Sequence, residues 1–336
     1  MLNQFFQPRL HRRRNVLIVG SDVNAVNFAI KLSKLKSELV GFIDERWEFD
    51  EAPSHYKDMR LGRPSDISKV LRETVVDEVA VLSSAYRWEL EQEVVDACFE
   101  QGIKITRPPG SAPINNVTRR PILPLAKTTQ RGMKNRWTIA SKRLIDIIFS
   151  GIAIVALLPL FIIIALAVKL SSKGPVIFSQ DRLGVGKRPF RIFKFRTMVP
   201  NAESLMASIE HLNEATGAHF KLQRDPRVTP IGAWLRKTSL DELPQLFNVL
   251  LGDMSLVGPR PIVMRDYRGI ALDRHRRRFT VKPGITCLWQ VGGRSSIDFD
   301  RWMELDLDYI DRWSLRLDLL ILLKTVPVVI RGSGAM

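Results

Sequence analysis

Cysteine is nearly missing from this chain, with two among 336 residues, Cys98 and Cys287, one in each half. That excludes a disulfide framework and a cysteine-based zinc site, and it suits a reducing cytoplasm. The five histidines, at positions 11, 55, 211, 219 and 275, show no metal-ligand spacing. No P-loop and no kinase-type glycine motif occurs, so a nucleotide would not be held in the NTPase manner. The opening stretch HRRRNVLIVG lacks the apolar core and cleavage site of a secretory signal. There are no internal repeats and no low-complexity tracts.

What is abundant is positive charge. Lys and Arg number 51 against 35 Asp and Glu, a net charge of +16. Residues 1–140 carry 22 basic and 17 acidic side chains, whereas 141–336 carry 29 and 18, so the excess lies mostly in the C-terminal part. Such a field favours anionic partners: nucleic acid, phospholipid headgroups or phosphorylated small molecules.

Along the first hundred residues short β-type runs alternate with helical patterns. NVLIVG (15–20), ELVGFID (38–44), DEVAVLS (77–83) and IKITRP (103–108) read as strands, with helices near 23–35, 65–73 and 88–101. This alternation predicts a parallel sheet with crossover helices, a Rossmann-like α/β domain over 1–110. Its first turn, from Gly20 to Ala25, places Asp22 where a dinucleotide fingerprint has a glycine, a negative charge where phosphate would sit. The module then serves packing, assembly or regulation, or binds a nucleotide or nucleotide-sugar. Residues 111–137, rich in proline and turn formers, read as a linker to a second domain over 138–336.

That second part begins with IIFSGIAIVALLPLFIIIALAV, 147–168, which holds no charge. As one helix it would run ~33 Å, about the hydrocarbon thickness of a bilayer. Pro159 lies near its middle, and Lys142, Arg143, Lys169 and Lys173 flank both ends. A kink with basic residues on both sides predicts a re-entrant helix over a span. PVIFSQDRLGVGKRPFRIFKFRTM (175–198) reads as a β-hairpin. Near the end, LDLLILLKTVPVV is interrupted by Asp318, Lys324 and Pro327 and reads as a surface-lying helix rather than a second span. The basic run Arg274, Arg276, Arg277 and Arg278 is expected to meet lipid headgroups, at ~1 kcal/mol per residue near an anionic surface. A nucleic-acid partner would leave the apolar run unexplained.

Within LRKTSLDELPQLFNVLLGDMSLVGPRP (235–261) two acids stand together, Asp241 and Glu242. Ser239 followed by Glu242 matches a helix capping box, which explains the acids without chemistry. Their company suggests more, because a carboxylate pair among fixed cations suits divalent-metal and phosphate chemistry. The acids hold the metal or attack phosphorus, and Arg or Lys neutralises charge on phosphoryl oxygens.

From about Lys142 onward the chain resembles the bacterial sugar transferases, the monotopic polyprenyl-phosphate phosphoglycosyl transferases. The resemblance is carried, in order, by KRLIDIIFS, the apolar run with Pro159, GPVIFSQDRLG, FRIFKFRTM, the stretch 235–261, KPGIT and WQVGGR. The N-terminal half is similar to the module preceding the catalytic part in larger members, without the transmembrane helices that usually come first there. The resemblance implies transfer of a sugar-1-phosphate from a UDP-sugar to polyprenyl phosphate, with release of UMP, as the first membrane step of surface polysaccharide assembly. It implies Asp241 as nucleophile, forming a phosphosugar-aspartyl intermediate. Mg²⁺ would sit at Asp241 and Glu242, with Glu242 as metal or positioning ligand. Lys194, Arg196, Arg236, Arg260 and Arg294 are the implied phosphate or nucleotide clamps. The implied location is the bacterial inner membrane with both domains facing the cytoplasm. The sugar and the state of oligomerisation stay open, and a membrane scaffold that senses nucleotide-sugars without catalysis is the alternative.

Overall fold

The computed structural model describes residues 13–35, 37–45, 56, 58–82, 88–107, 136–214, 220, 222, 224–293 and 297–331. The chain forms two compact units, Met1–Thr129 and Gln130–Met336. Of the expected linker, 111–135 lies outside the described residues.

In the first unit five strands, β1 (Arg14–Val19), β2 (Ser37–Ile43), β3 (Arg60–Gly62), β4 (Glu78–Val81) and β5 (Lys104–Thr106), lie in the order β3-β2-β1-β4-β5. All pairs are parallel. Helices α1 (Val23–Lys34), α2 (Ile67–Glu73) and α3 (Trp88–Gln101) connect them. β1 is apolar on both faces because both are covered. Val16 and Ile18 pack with Ala25, Ala29 and Leu32 of α1, and Leu17 and Val19 pack with Ile67 and Leu71 of α2 and Val94 of α3. Asp22 is the N-cap of α1 and accepts from the Ala25 N–H at 2.9 Å. The acid that breaks the dinucleotide fingerprint thus occupies a donor that a phosphate would use.

The second unit is mainly helical. The apolar run 147–168, read as a re-entrant helix kinked at Pro159, lies in two helices, α4 (Arg136–Ala156) and α5 (Leu158–Ser171), bent by 63° at the break. Pro159 lies in the first turn of α5, where a missing N–H breaks no helical bond, so it starts the second helix rather than kinking a continuous one. No single described helix is long and apolar enough to cross a membrane. A broad apolar face of the pair is uncovered, including Ile147, Ile148, Phe149, Ile152, Val155, Leu158, Ile162, Ile163 and Leu166.

The other face of α4 is polar and buried against the rest of the unit. Asp146 accepts from the Ser255 hydroxyl and the Leu256 N–H, both at 3.0 Å. Arg143 donates to the carbonyls of Val249 (2.6 Å) and Leu250 (2.8 Å). Lys142 donates to the Val257 carbonyl at 3.1 Å and to Asp318 at 2.5 Å. Of the four basic residues read as flanks of the apolar run, Lys142 and Arg143 therefore dock α4 onto the protein.

After α5 come the antiparallel strands β6 (Ile177–Leu183) and β7 (Pro189–Phe195). Next are α6 (Pro230–Lys237), α7 (Gln245–Leu251), β8 (Ser255–Val257) and β9 (Gly284–Thr286), the last two a parallel pair. α8 (Phe299–Arg312) and α9 (Leu315–Arg331) end the unit. The main core joins Phe190 and Ile192 of β7, Leu246 and Val249 of α7, Leu307, Tyr309 and Ile310 of α8, and Ile321 of α9.

Two sequence expectations change here. Asp318 is no solvated interruption of α9: it is buried, and it accepts from Lys142, from the Tyr309 hydroxyl at 2.8 Å and from Trp313 Nε1 at 3.1 Å. The run at 274–278 is not a patch of uncommitted arginines. Arg274 pairs with Glu304, Arg276 with Asp273, Arg277 with Asp311 and Arg278 with Asp306. Three of those acids lie on α8, whose negative face meets the basic segment.

Candidate active site

The acids lie between two short helices. Thr229 caps α6 by accepting from the Gly232 N–H at 3.1 Å, and Pro230 supplies the pre-set first turn. Gly232 lets α6 approach closely, since a Cβ there would lie 2.0 Å from the Thr197 carbonyl oxygen. After α6, Ser239 is left-handed (φ 57°), and Leu240–Glu242 form one 3₁₀ turn before Pro244 opens α7. The capping box is not formed. The Ser239 side chain makes no cap hydrogen bond, and the Glu242 carboxylate points to cations instead. Leu240 and Leu243, on either side of the acids, pack into the cluster of Ile164, Val168, Phe195 and Leu235, which fixes the turn from below.

Glu242 Oε1 accepts from Lys194 Nζ at 2.7 Å and from Arg260 Nη2 at 3.0 Å. Lys194 comes from β7 and Arg260 from the GPRP segment after β8, so three separate elements converge on one oxygen. Two charge-assisted bonds of this kind contribute about 1.5–3 kcal/mol each. Asn248, fully buried on α7, fixes the spacing. It accepts from the Phe193 N–H at 2.9 Å and donates to the Arg191 carbonyl at 2.7 Å, clamping β7 beside the acid turn.

Asp241 is 7% exposed, and its carboxylate accepts no hydrogen bond from any described residue. The two acids are held in opposite states. Burial pushes Asp241 up to about 6, Lys194 opposes that, and the Glu242 charge adds to it. Burial would also raise Glu242, but Arg260 and Lys194 outweigh it and hold that carboxyl well below the usual carboxylate range. Arg236, in the last turn of α6, donates from Nε to Thr197 Oγ1 at 3.0 Å and stabilises the charge on Asp241.

The structure thus gathers Asp241, Glu242, Lys194, Arg236 and Arg260. Arg196 goes elsewhere, which corrects its grouping with the clamps. It is buried and donates to the carbonyls of Pro175, Val168 and Ser172 and to the Ser172 hydroxyl, so it closes the C-terminal end of α5. Arg294 lies outside the described residues. Two residues that the sequence reading did not single out, Arg182 and Gln245, line the same cleft as Lys194 and Arg260. The parity of the hairpin, which puts positions 182 and 194 on one face, was the signal that would have found Arg182. Burial lowers its pKa to about 10, and neighbouring Arg260 adds to that.

Among the described residues no group of three His, Cys, Asp or Glu could hold a metal ion. Asp241 and Glu242 remain as a two-carboxylate donor set. That fits Mg²⁺, which is commonly held by one or two carboxylates, with water and substrate phosphates completing its shell.

Comparison with known proteins identifies the family of the second unit. The family model described as bacterial sugar transferase matches residues 137–332. The galactosyl transferase CpsE of Streptococcus agalactiae is 44% identical over 200 residues, covering 59% of this chain and 44% of that protein. The exopolysaccharide production protein ExoY of Rhizobium meliloti is 40% identical over 202 residues, 58% of this chain and 88% of the relative. A UDP-glucose:undecaprenyl-phosphate glucose-1-phosphate transferase of Klebsiella pneumoniae is 33% identical over 332 residues, 92% of this chain and 68% of its own length. The chain spans less than half the length of the streptococcal relative. With the matched segment running from α4 to the end of α9 and enclosing every described residue of the acid site, this chain belongs to the bacterial sugar transferase family.

Proposed function

We propose that this protein is a phosphotransferase that moves a sugar-1-phosphate from a UDP-sugar to polyprenyl (undecaprenyl) phosphate, releasing UMP, in the initiating step of exopolysaccharide, capsule or O-antigen assembly. The names of the Klebsiella relative and of ExoY support the reaction class and its setting. The observation that carries the reading is Asp241. Its carboxylate has no hydrogen-bond partner among the described residues, yet it sits next to an acid that Lys194 and Arg260 keep ionised.

In the first step an Asp241 oxygen bonds to the β-phosphorus as the bond from that phosphorus to the bridging oxygen breaks, and UMP leaves with the electron pair. In the second, an oxygen of the lipid phosphate bonds to the same phosphorus and the aspartyl oxygen leaves, restoring the carboxylate. Splitting the displacement in two is covalent catalysis. Lys194, Arg236 and Arg260 offset the charge on the phosphoryl oxygens, and Glu242 holds Lys194 and Arg260 in register. Asp241 and Glu242 would hold Mg²⁺, which when bound offsets the repulsion between an anionic nucleophile and an anionic diphosphate.

The helical pair α4–α5 then anchors the site in the bacterial inner membrane from its cytoplasmic side. Both of its ends are tied to the same unit, through Lys142, Arg143 and Asp146 at the start and through Arg196 at the finish. From Asp146 to the tip at Ala156 is ~15 Å of helix, half of a ~30 Å hydrocarbon core, which supports entry and return on one face. A hairpin of this kind leaves the segments before and after it on the same side of the membrane. It also lets a lipid phosphate at the interface and a UDP-sugar from the cytosol meet at Asp241.

The test uses the full chain in membranes with a β-³²P-labelled UDP-sugar. Wild type forms a labelled protein adduct and releases UMP without lipid, and Asp241→Asn does neither. An adduct that persists in Asp241→Asn would remove the nucleophile, and no UMP release with any UDP-sugar would remove the reading.

A further inference from the structure

Strand parity brings six side chains of the hairpin to one face. In the β6–β7 register Arg182 stands opposite Phe190, Gln180 opposite Ile192 and Phe178 opposite Lys194. Arg182, Ile192 and Lys194 from this face, with Gln245, Arg260, Pro261 and Gly284, wall a cleft beside Glu242. Its three cations are not treated alike. Lys194 and Arg260 share the Glu242 carboxylate. Arg182 has no carboxylate partner among the described residues. Its Nη1 donates to the Pro261 carbonyl at 3.3 Å, its Nη2 donates to Gln180 Oε1 at 2.8 Å, and its Nε is buried with no hydrogen-bond partner.

A guanidinium taken out of water without a counter-ion is costly, and its long side chain would ordinarily reach back to solvent. Here a neutral amide and a carbonyl take two of its five N–H groups, and the buried Nε–H has no partner. With Arg236, four cations stand around two carboxylates; Asp266 acts on Arg182 and Asp225 on Arg236 from farther off, each already paired with another arginine, Arg265 and Arg227. A planar guanidinium with unspent donors matches phosphoryl oxygens.

We propose that Arg182 is a phosphate-binding residue of this cleft, contacting a phosphoryl oxygen of a substrate that neither Lys194 nor Arg260 neutralises. This rests on the phosphotransferase reading above. Two substrates offer that chemistry, the diphosphate of the donor and the phosphate monoester of the lipid acceptor.

The experiment uses the full chain in nanodiscs, as wild type, Arg182→Met and Arg182→Lys. Inorganic pyrophosphate stands in for the donor diphosphate and farnesyl phosphate for the acceptor, each read by thermal shift. Kinetics then follow UMP release without lipid and lipid-dependent turnover. Losing one charge-assisted contact predicts that Arg182→Met weakens one of the two by roughly tenfold to a hundredfold, with the other moved less than threefold. A loss confined to pyrophosphate and to the KM for UDP-sugar assigns Arg182 to the donor. A loss confined to farnesyl phosphate and to the KM for lipid assigns it to the acceptor. A folded Arg182→Met with both affinities and both KM values unchanged overturns the proposal. If Arg182→Met does not fold, Arg182→Lys decides: it keeps the charge but loses the fork, so one KM must rise at least threefold, and no rise overturns the proposal. Failure of the wider reading looks different, because wild type would release no UMP while the probe arms still report on Arg182. Wild type that binds neither probe overturns the proposal as well.

Discussion

Asp318 joins three elements, and replacing it by leucine is predicted to remove much of the stability of the second unit. The carboxylate, 7% exposed, takes Lys142 from α4, Tyr309 from α8 and Trp313 from the α8–α9 corner. In Asp318→Leu, the single Tyr309 hydroxyl hydrogen turns to the Val257 carbonyl, 3.0 Å away, so its loss is small. Trp313 Nε1 becomes a buried unsatisfied donor, at about 1–3 kcal/mol. Lys142 keeps the Val257 carbonyl but loses its counter-charge, and breaking a buried pair from one side costs about 3–5 kcal/mol. Together these give about 4–8 kcal/mol, against a total of about 5–15 kcal/mol for an ordinary domain. Asp318→Asn, which keeps the shape, should lose about half of that. The double variant Lys142→Met with Asp318→Leu should lose less than Asp318→Leu alone, because removing both charges leaves neither stranded. The assay is thermal unfolding in nanodiscs at fixed lipid composition, with Asp308→Ala, in an exposed pair with Arg312, as the control expected within about 1 kcal/mol. An Asp318→Leu midpoint that falls no further than the control would refute the reasoning.

Three further outcomes are expected. On the proposed mechanism Asp241 attacks only when ionised, so lipid-independent UMP release should rise with pH through about 6, and in Glu242→Gln the rise should move to lower pH because the neighbouring anion that pushes Asp241 up is gone. An unmoved or upward-moved limb in initial-rate profiles would contradict the coupling of the two acids. Arg196→Met should lower the unfolding midpoint by the equivalent of about 2–4 kcal/mol, since the end of α5 loses its donor, while the KM for UDP-sugar in the folded fraction stays within threefold. Gly284→Ala places a Cβ 2.1 Å from the Gly258 nitrogen, forcing apart the strands that carry the GPRP segment, so turnover should fall at least tenfold with Arg260 displaced. Wild-type turnover in Gly284→Ala would show that this backbone does not position Arg260.

Of the first unit's strands, β1, β2 and β4 were legible from near-continuous apolar runs, and β5 from the alternation of Ile103 and Ile105 with Lys104. β3, with three residues and one exposed arginine, offered no such signal, and neither did β8 and β9, which pair across a long separation. The acids and their cationic company stood out in sequence, but their true support did not. Glu242 looked like a cap because Ser239 precedes it at capping distance, and a left-handed Ser239 is invisible to spacing. Arg196 stood among the implied clamps through the resemblance carried by FRIFKFRTM, which holds Lys194 as well. β7 stops at Phe195, and one residue later the chain turns the guanidinium to the end of α5. Asp318 and the arginines at 274–278 were read by local polarity alone, whereas their partners come from distant segments. The acidic positions of DRWMELDLDYIDR were present in the sequence to be matched with that basic run.

On the proposed membrane placement, the polar edge of α4 also sets how this protein could be freed from lipid. Excising residues 136–171 would strip the cap from α7, unseat Ser255 and Leu256 and leave Asp318 without its cation, so a truncated soluble enzyme should not fold. The productive route is to recolour the outside. Charged or polar side chains at Ile147, Ile148, Phe149, Ile152 and Val155, with Lys142, Arg143, Asp146 and Ser150 untouched, would leave the inward seam intact and turn the hairpin into an ordinary surface element.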